Sequence, residues 1–207
     1  MEFTSANPSV VRSITQRVLL NAWLRAARRH QPLPLLADFE PGDIASELPD
    51  MMGYDVEGDG EEARFIIKQE GGRPTATYGN EDVDPARRTN RYLHEAIGPD
   101  RYARVVPSYI ACVRLRRPTY SVSTVQDADG KEVSYERLLM PFGSAEAVQQ
   151  IIGSFKSISI EGGFKISNLL GLRPKAEPVI LARAIIDRAF KPAQSGRHSS
   201  DEIIELD

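Results

Sequence analysis

Residues 120–142 read YSVSTVQDADGKEVSYERLLMPF and contain two strand-like runs joined by a polar turn. In the first run Tyr120, Val122 and Thr124 fall on every second position, which is the period of a half-buried strand. The turn sequence DADG ends at Gly130, and glycine adopts a positive φ without steric cost. This stretch therefore predicts a β-hairpin.

The second strand of this hairpin is apolar on both sides over its second half. Leu139 lies on one side, whereas Leu138, Met140 and Phe142 lie on the other. A strand with two apolar faces must be covered on both. Helices of the same domain can cover one face, and the other face needs an extra helix, a second subunit or a partner protein. We therefore expect a module that associates.

Four segments together resemble PAS domains, and in particular a bacterial subgroup of small stand-alone PAS proteins formerly catalogued as a domain of unknown function. The segments are a helix around Trp23, LPLLADFEPGDIASELPD at 33–50, ARFIIKQEGG at 63–72 and YERLLMPF at 135–142. The resemblance covers residues 20–158. It implies a five-stranded antiparallel sheet with short helices on one face, used for sensing and protein interaction rather than for turnover. The chain departs from the family at 71–74, where GGRP replaces a helix-starting connection.

The expected fold class is α+β, with the PAS-like five-stranded sheet plus flanking N- and C-terminal helices. We divide the chain into an N-terminal amphipathic helix, the PAS-like domain, a linker with a C-terminal helix, and a disordered tail. These parts span residues 1–32, 33–160, 161–190 and 191–207, respectively. Asn7 and Pro8 are typical of a helix start. The helical spacing of apolar residues within 178–190 is the basis for the C-terminal helix.

Within the PAS-like domain, turn residues separate the expected elements. Strands are expected at 51–57 and 63–69, paired antiparallel across Gly58-Asp59-Gly60. Short helical pieces are expected between 72 and 100, because prolines and glycines interrupt that region repeatedly. A longer helix is expected from 101 to 116, and a last strand from 148 to 157.

Composition excludes several classes of protein. The 207 residues carry 26 basic and 29 acidic side chains, so the net charge of −3 gives no general attraction to nucleic acid. No apolar run approaches the roughly 20 residues of a membrane-spanning helix, and the N-terminus lacks the pattern of a secretory signal. We expect a cytoplasmic protein with no nucleic-acid partner and no membrane span. A single cysteine excludes an internal disulfide.

The sequence holds little catalytic or metal-binding chemistry. Its histidines are His30, His94 and His198, and with Cys112 as the one cysteine they do not form a spaced metal-ligand set. We predict no catalytic residues and no metal site, and the sequence requires no cofactor. His94 is the one histidine placed for a cofactor, as an axial haem ligand; the alternative is an ordinary surface residue. We expect Cys112 to be an inert core thiol.

These observations favour a sensory or regulatory module that acts through protein–protein interaction, with a small-molecule ligand as a possible control. We expect a homodimer and a protein partner in a signalling pathway. Three alternatives stay open: a scaffold whose pocket is filled by its own side chains, a haem-binding sensor, and a small enzyme using Tyr135 or Glu136 as acid or base. The opening helix is expected to form an interface, and deletion of residues 1–30 to leave a foldable sheet.

Arg137 interrupts an apolar side of the second hairpin strand, where its charge needs a partner or a route to the rim. We expect it to pair with an acid of the segment LPLLADFEPGDIASELPD at 33–50, which we call the opening segment. The candidates are Asp38, Glu40 and Asp43. Such a pair would tie the opening segment to the sheet and make that segment a lever for signal output.

Overall fold

A computed structural model describes residues 2–27, 33–72, 89–126, 132–159 and 178–190. Over these residues the protein is α+β, with one open, mostly antiparallel sheet of eight strands. The strands are β1 Thr4–Ala6, β2 Met51–Glu57, β3 Arg64–Glu70, β4 Arg91–Tyr92, β5 Thr119–Gln126, β6 Glu132–Gly143, β7 Val148–Ser159 and β8 Val179–Ile186. Their order in the sheet is β1-β8-β5-β6-β7-β2-β3-β4. Only the β1–β8 pair among them is parallel.

Two antiparallel strand pairs form where the sequence predicts hairpins. β5 and β6 pair antiparallel as residues 120–142 predict, and β2 and β3 pair antiparallel across a loop in which Gly58 has a φ of +79°. β7 confirms the predicted last strand of the domain. The expected number of strands is wrong, because β1, β4 and β8 extend the five adjacent antiparallel strands β5-β6-β7-β2-β3.

The described helices are α1 Ile14–Ala26, α2 Leu93–Ile97 and α3 Pro99–Leu115. α3 confirms the helix predicted at 101–116. Residues 1–32 are not one helix, because the short strand β1 and a 3₁₀ turn at Pro8–Val10 precede α1. Ser13 caps α1, its Oγ accepting a hydrogen bond from the Gln16 backbone N–H.

The predicted C-terminal helix at 178–190 is wrong. Val179–Ile186 forms strand β8, antiparallel to β5 and parallel to β1. Its β-branched residues suit a strand, and its buried residues Ala184 and Ile186 follow period 2 rather than 3.6. The predicted linker at 161–176 and the tail at 191–207 lie outside the described residues.

Each face of the sheet is covered by a helix of the same chain. On the face that we call the α3 face, the Arg137 guanidinium lies 6.0 Å from the Tyr109 ring centre. On the opposite α1 face, the Ser13 backbone N–H donates to Glu136. α1 is part of the core, because Leu19 and Leu20 are fully buried. The expectation that the sheet folds without residues 1–30 conflicts with this packing, since deletion would expose that core to water.

The C-terminal end of α3 is fixed by Arg116, which has a left-handed backbone conformation with φ of 52°. Its guanidinium donates to the carbonyl oxygens of Ala145 (2.7 Å) and Glu146 (2.5 Å) in the β6–β7 turn. A non-glycine residue at positive φ costs about 1–2 kcal/mol. Two charged hydrogen bonds offset that strain and connect the helix to the turn.

Arg116→Ala should lower the free energy of unfolding by about 1–3 kcal/mol, because it removes both hydrogen bonds and keeps the backbone strain. Arg116→Gly should be about 1 kcal/mol more stable than Arg116→Ala, since glycine relieves the strain. Urea unfolding measures both values. Arg114→Ala is the control: it removes an exposed ion pair with Glu61 and should cost less than about 1 kcal/mol. Equal stability of Arg116→Ala and the unmodified protein would contradict the role of Arg116 in fixing the C-terminal end of α3.

Candidate functional site

A buried polar layer lies between the α1 face of the sheet and the N-terminal part of the chain. It comprises Gln16, Glu47, Asp50, Tyr120, Glu136, Ser154 and Lys156. Glu136 is 1% exposed, and Gln16 and Ser154 are fully buried. Buried charged groups need partners, so their contacts determine how the N-terminal segment sits on the sheet.

Glu136 holds the start of α1. Its Oε2 accepts hydrogen bonds from the Tyr120 hydroxyl at 2.9 Å and from the Ser13 backbone N–H at 3.3 Å. The Tyr120 oxygen in turn accepts from the Arg12 backbone N–H at 3.1 Å. Burial raises the pKa of Tyr120, so its hydroxyl stays protonated and donates at neutral pH. A carboxylate at the first turn of α1 also interacts favourably with the helix dipole.

Lys156 connects β7 to the segment that precedes β2. Its Nζ lies 2.6 Å from Glu47 Oε2 and 2.6 Å from Asp50 Oδ2. The side chain of Lys156 is 17% exposed and those of both acids are 6% exposed. Lys156 is also the direct cross-strand neighbour of Glu136. Its ammonium group therefore lies between the two buried carboxylates of Glu47 and Asp50, so the position of this lysine is strongly constrained.

Gln16 joins α1 to β7 with incomplete hydrogen bonding. Its Nε2 donates to the Ser154 backbone oxygen at 3.0 Å and lies 3.3 Å from the Ser154 hydroxyl. The Gln16 Oε1 atom is buried and has no hydrogen-bond partner in the described structure. A buried unsatisfied acceptor costs about 1–3 kcal/mol. Docking of α1 on the sheet thus carries a local penalty.

Trp23 reports on the docking of α1. It is the one tryptophan of the chain, is 5% exposed, and donates from Nε1 to the Pro141 carbonyl oxygen at 2.7 Å. Any separation of α1 from β6 breaks this hydrogen bond and brings water to the indole.

Gly71 lets the end of β3 approach the segment next to the polar layer. A Cβ atom at this position would lie 2.5 Å from the Pro49 carbonyl oxygen and 2.6 Å from that of Leu48. The Gly71 N–H donates to the Met51 carbonyl oxygen at 2.8 Å. The glycine with which the sequence departs from the PAS pattern thus has a steric reason. Residues 73–74 of that departure lie outside the described part.

The predicted pairing of Arg137 with the opening segment is wrong. Asp38, Glu40 and Asp43 are exposed, and Phe39 packs against Phe142 on the α1 face. Arg137 points to the α3 face, because it directly neighbours Glu136 in a strand whose side chains alternate. The ion pair that ties the segment before β2 to the sheet uses Lys156 instead. The signal that could have found it is Lys156 itself, the single charged residue of the strand predicted at 148–157.

His94 lies on the outer side of α2. It is exposed, stacks on Tyr92 with 5.4 Å between ring centres, and meets the edge of Tyr102 at 5.7 Å. Leu93 and Ile97 form the buried side of the helix. This placement does not direct the imidazole into the core as an axial haem ligand requires.

The other candidate groups are placed as follows. Cys112 is fully buried, and its burial raises the thiol pKa, so it is not a reactive thiolate. Glu136, an acid or base of the enzyme alternative, is held by Ser13 and Tyr120 beneath α1. Across the described residues, no group of three or more acidic, histidine or cysteine side chains is arranged to hold a metal ion. None of the described helices is long and apolar enough to span a membrane.

No protein-family model matches the chain, and comparison with curated proteins and with solved structures found no significant match. The resemblance to PAS domains therefore depends on the four quoted segments alone.

Lys156→Met should lower the free energy of unfolding by about 3–5 kcal/mol, because it leaves Glu47 and Asp50 buried without their cation. Adding Glu47→Gln and Asp50→Asn to that variant should restore part of the loss, since amides carry no charge to desolvate. Chemical denaturation measures these values.

Lys68→Met is the matched control for this ion pair. Lys68 lies 3.7 Å from Asp55 with both side chains well exposed, so its loss should cost less than about 1 kcal/mol. A Lys156→Met variant that is no less stable than the control would contradict the buried ion pair.

Proposed function

We propose that this protein is a PAS-like regulatory module that acts in the cytoplasm through protein–protein contact, with α1 and the segment before β2 as its output. The observation that carries the proposal is the buried polar layer, which attaches this N-terminal part to the sheet through directional contacts. Such contacts hold one arrangement and are lost together when it shifts, which suits a switch between discrete states.

The architecture supports the PAS-like part of the proposal. Five adjacent strands, β5-β6-β7-β2-β3, are antiparallel, and the helices between β4 and β5 lie on one face of them. Two of the segments that carry the resemblance meet on the other face, where Phe39 packs edge-to-face on Phe142 at 5.1 Å. At Glu136 the enzyme alternative lacks such support, because this residue is engaged in holding α1.

The contact surface that we propose is the outer row of α1. Ile14 is 71% exposed and Val18, one turn later, is 44% exposed. Arg17 and Arg25 are exposed on the same helix, and α1 contains no acidic residue. Two copies pairing through this row would bring like charges together. The charge therefore favours an acidic surface of a partner protein over the second copy expected from the sequence.

Hydrogen exchange tests whether α1 acts as the proposed output element. Glu136→Gln should speed amide exchange in α1 by roughly 10- to 100-fold and leave β6 and β7 protected, because it weakens the charged hydrogen bonds at the start of the helix. Trp23 emission should shift to the red in the same variant. Glu132→Gln is the control, an exposed glutamate on the same strand. If α1 exchanges only with global unfolding in every variant, it is a fixed core element and the proposal fails.

Light scattering tests whether the outer row of α1 binds a second copy of the chain instead of the proposed acidic partner protein. Val18→Lys should leave both the native mass and the stability of the protein unchanged within about 0.5 kcal/mol, because the residue is exposed. A dimer of the unmodified chain that dissociates in Val18→Lys would assign the row to a second copy and overturn the acidic partner.

A further inference from the structure

The outer row of α1 combines apolar and basic side chains. Ile14, Val18 and Arg25 recur at helical spacing on the side of α1 that faces away from the sheet. Arg17 borders them, and all four side chains are exposed. Neither arginine forms an ion pair within the described part of the chain. An occupant of this surface must therefore offer apolar groups together with negative charge.

Residues 201–207, which we call the acidic segment, read DEIIELD and have this composition. Four of the seven residues are acidic, and none is basic. The other three are the large aliphatic residues Ile203, Ile204 and Leu206. The acidic segment lies outside the described residues, and its sequence complements the outer row of α1 in both charge and apolar character.

Strand β8 brings the chain close to the start of α1 before the acidic segment. Glu136, which holds Ser13, is directly opposite Val122 on β5, and Val122 is directly opposite Ala182 on β8. Strands lie about 4.8 Å apart, so the Ala182 and Glu136 backbones are about 10 Å apart. β8 continues for four residues to Ile186, whose backbone is therefore about 16 Å from that of Glu136.

The linker between β8 and the acidic segment is long enough to reach α1. The described chain ends at Phe190, and ten residues, 191–200, lie between it and the acidic segment. Ten residues span up to about 33–36 Å. A short linker also gives a tethered segment an effective concentration in the millimolar range, so that even a weak contact forms within one chain.

We infer that the acidic segment occupies the outer row of α1 in its own chain. Its aliphatic side chains lie against Ile14 and Val18, and its carboxylates lie beside Arg17 and Arg25. The inference rests on the proposed function, because it takes the outer row as a contact surface. The acidic partner protein then has to displace the acidic segment, which makes this segment an internal competitor that sets how tightly a partner must bind.

Paramagnetic relaxation in the full chain tests this docking, with a spin label attached to Ser200→Cys. Cys112 is fully buried, so the label attaches to the introduced thiol. The label should broaden the amide signals of α1 more than those of α3, which lies on the other face of the sheet. Ile203→Ser combined with Ile204→Ser should reduce the broadening of α1 about fivefold, because it removes apolar contacts.

Charge reversal tests the electrostatic part of the docking. Arg17→Glu combined with Arg25→Glu should reduce the broadening of α1 about fivefold, because attraction becomes repulsion. Adding Glu202→Lys and Glu205→Lys to that variant should restore the broadening. Arg114→Glu is the matched control, an exposed arginine on α3, and it should leave the broadening of α1 unchanged.

The outcomes separate this inference from the proposed function. Absence of selective broadening of α1, or broadening that charge reversal leaves unchanged, overturns the docking and leaves the hydrogen-exchange test of α1 unaffected. Selective broadening in a mixture of spin-labelled chains with separate isotope-labelled chains assigns the contact to a second copy and also overturns it. Exchange of α1 only with global unfolding removes the proposed function, whereas selective broadening within one chain would still support the docking.

Discussion

The burial of β6 on both faces is the constraint on which the rest of the fold depends. Its second half is apolar on both sides, and Leu138, Leu139, Met140 and Phe142 are fully buried. α3 covers one face, and α1 returns from the N-terminus to cover the other. A chain that supplies both covers needs no partner to complete its core.

The sequence was most informative where structure is decided locally. The hairpins and α3 follow from turn residues and periodicity within a few positions of each other, and all of them are present. β8 was misassigned because its apolar residues fit both a helix and a strand, and pairing decides between them. Its partners β5 and β1 lie far away in the chain, so no local pattern encodes the choice.

The site was anticipated in kind but not in its residues. The sequence indicated an ion pair between the opening segment and the sheet, and the structure has one, made by Lys156 with Glu47 and Asp50. The error arose because Arg137 and the acids assigned to it lie on opposite faces of the sheet. The contact of Glu136 with Ser13 spans 123 positions in the sequence. Such a contact requires the packing of α1, which spacing alone does not give.

The polar layer is better explained by specificity than by stability. Replacing a buried ion pair with apolar residues of similar size is often neutral or stabilising, and α1 already has an apolar anchor in Leu19, Leu20 and Trp23. What the layer adds is alignment, because Lys156 reaches both carboxylates at 2.6 Å in one position of the segment before β2. An apolar contact tolerates small sliding, whereas this contact does not. The layer therefore specifies one arrangement of the segment before β2 on the sheet, which is the property that the proposed output element requires.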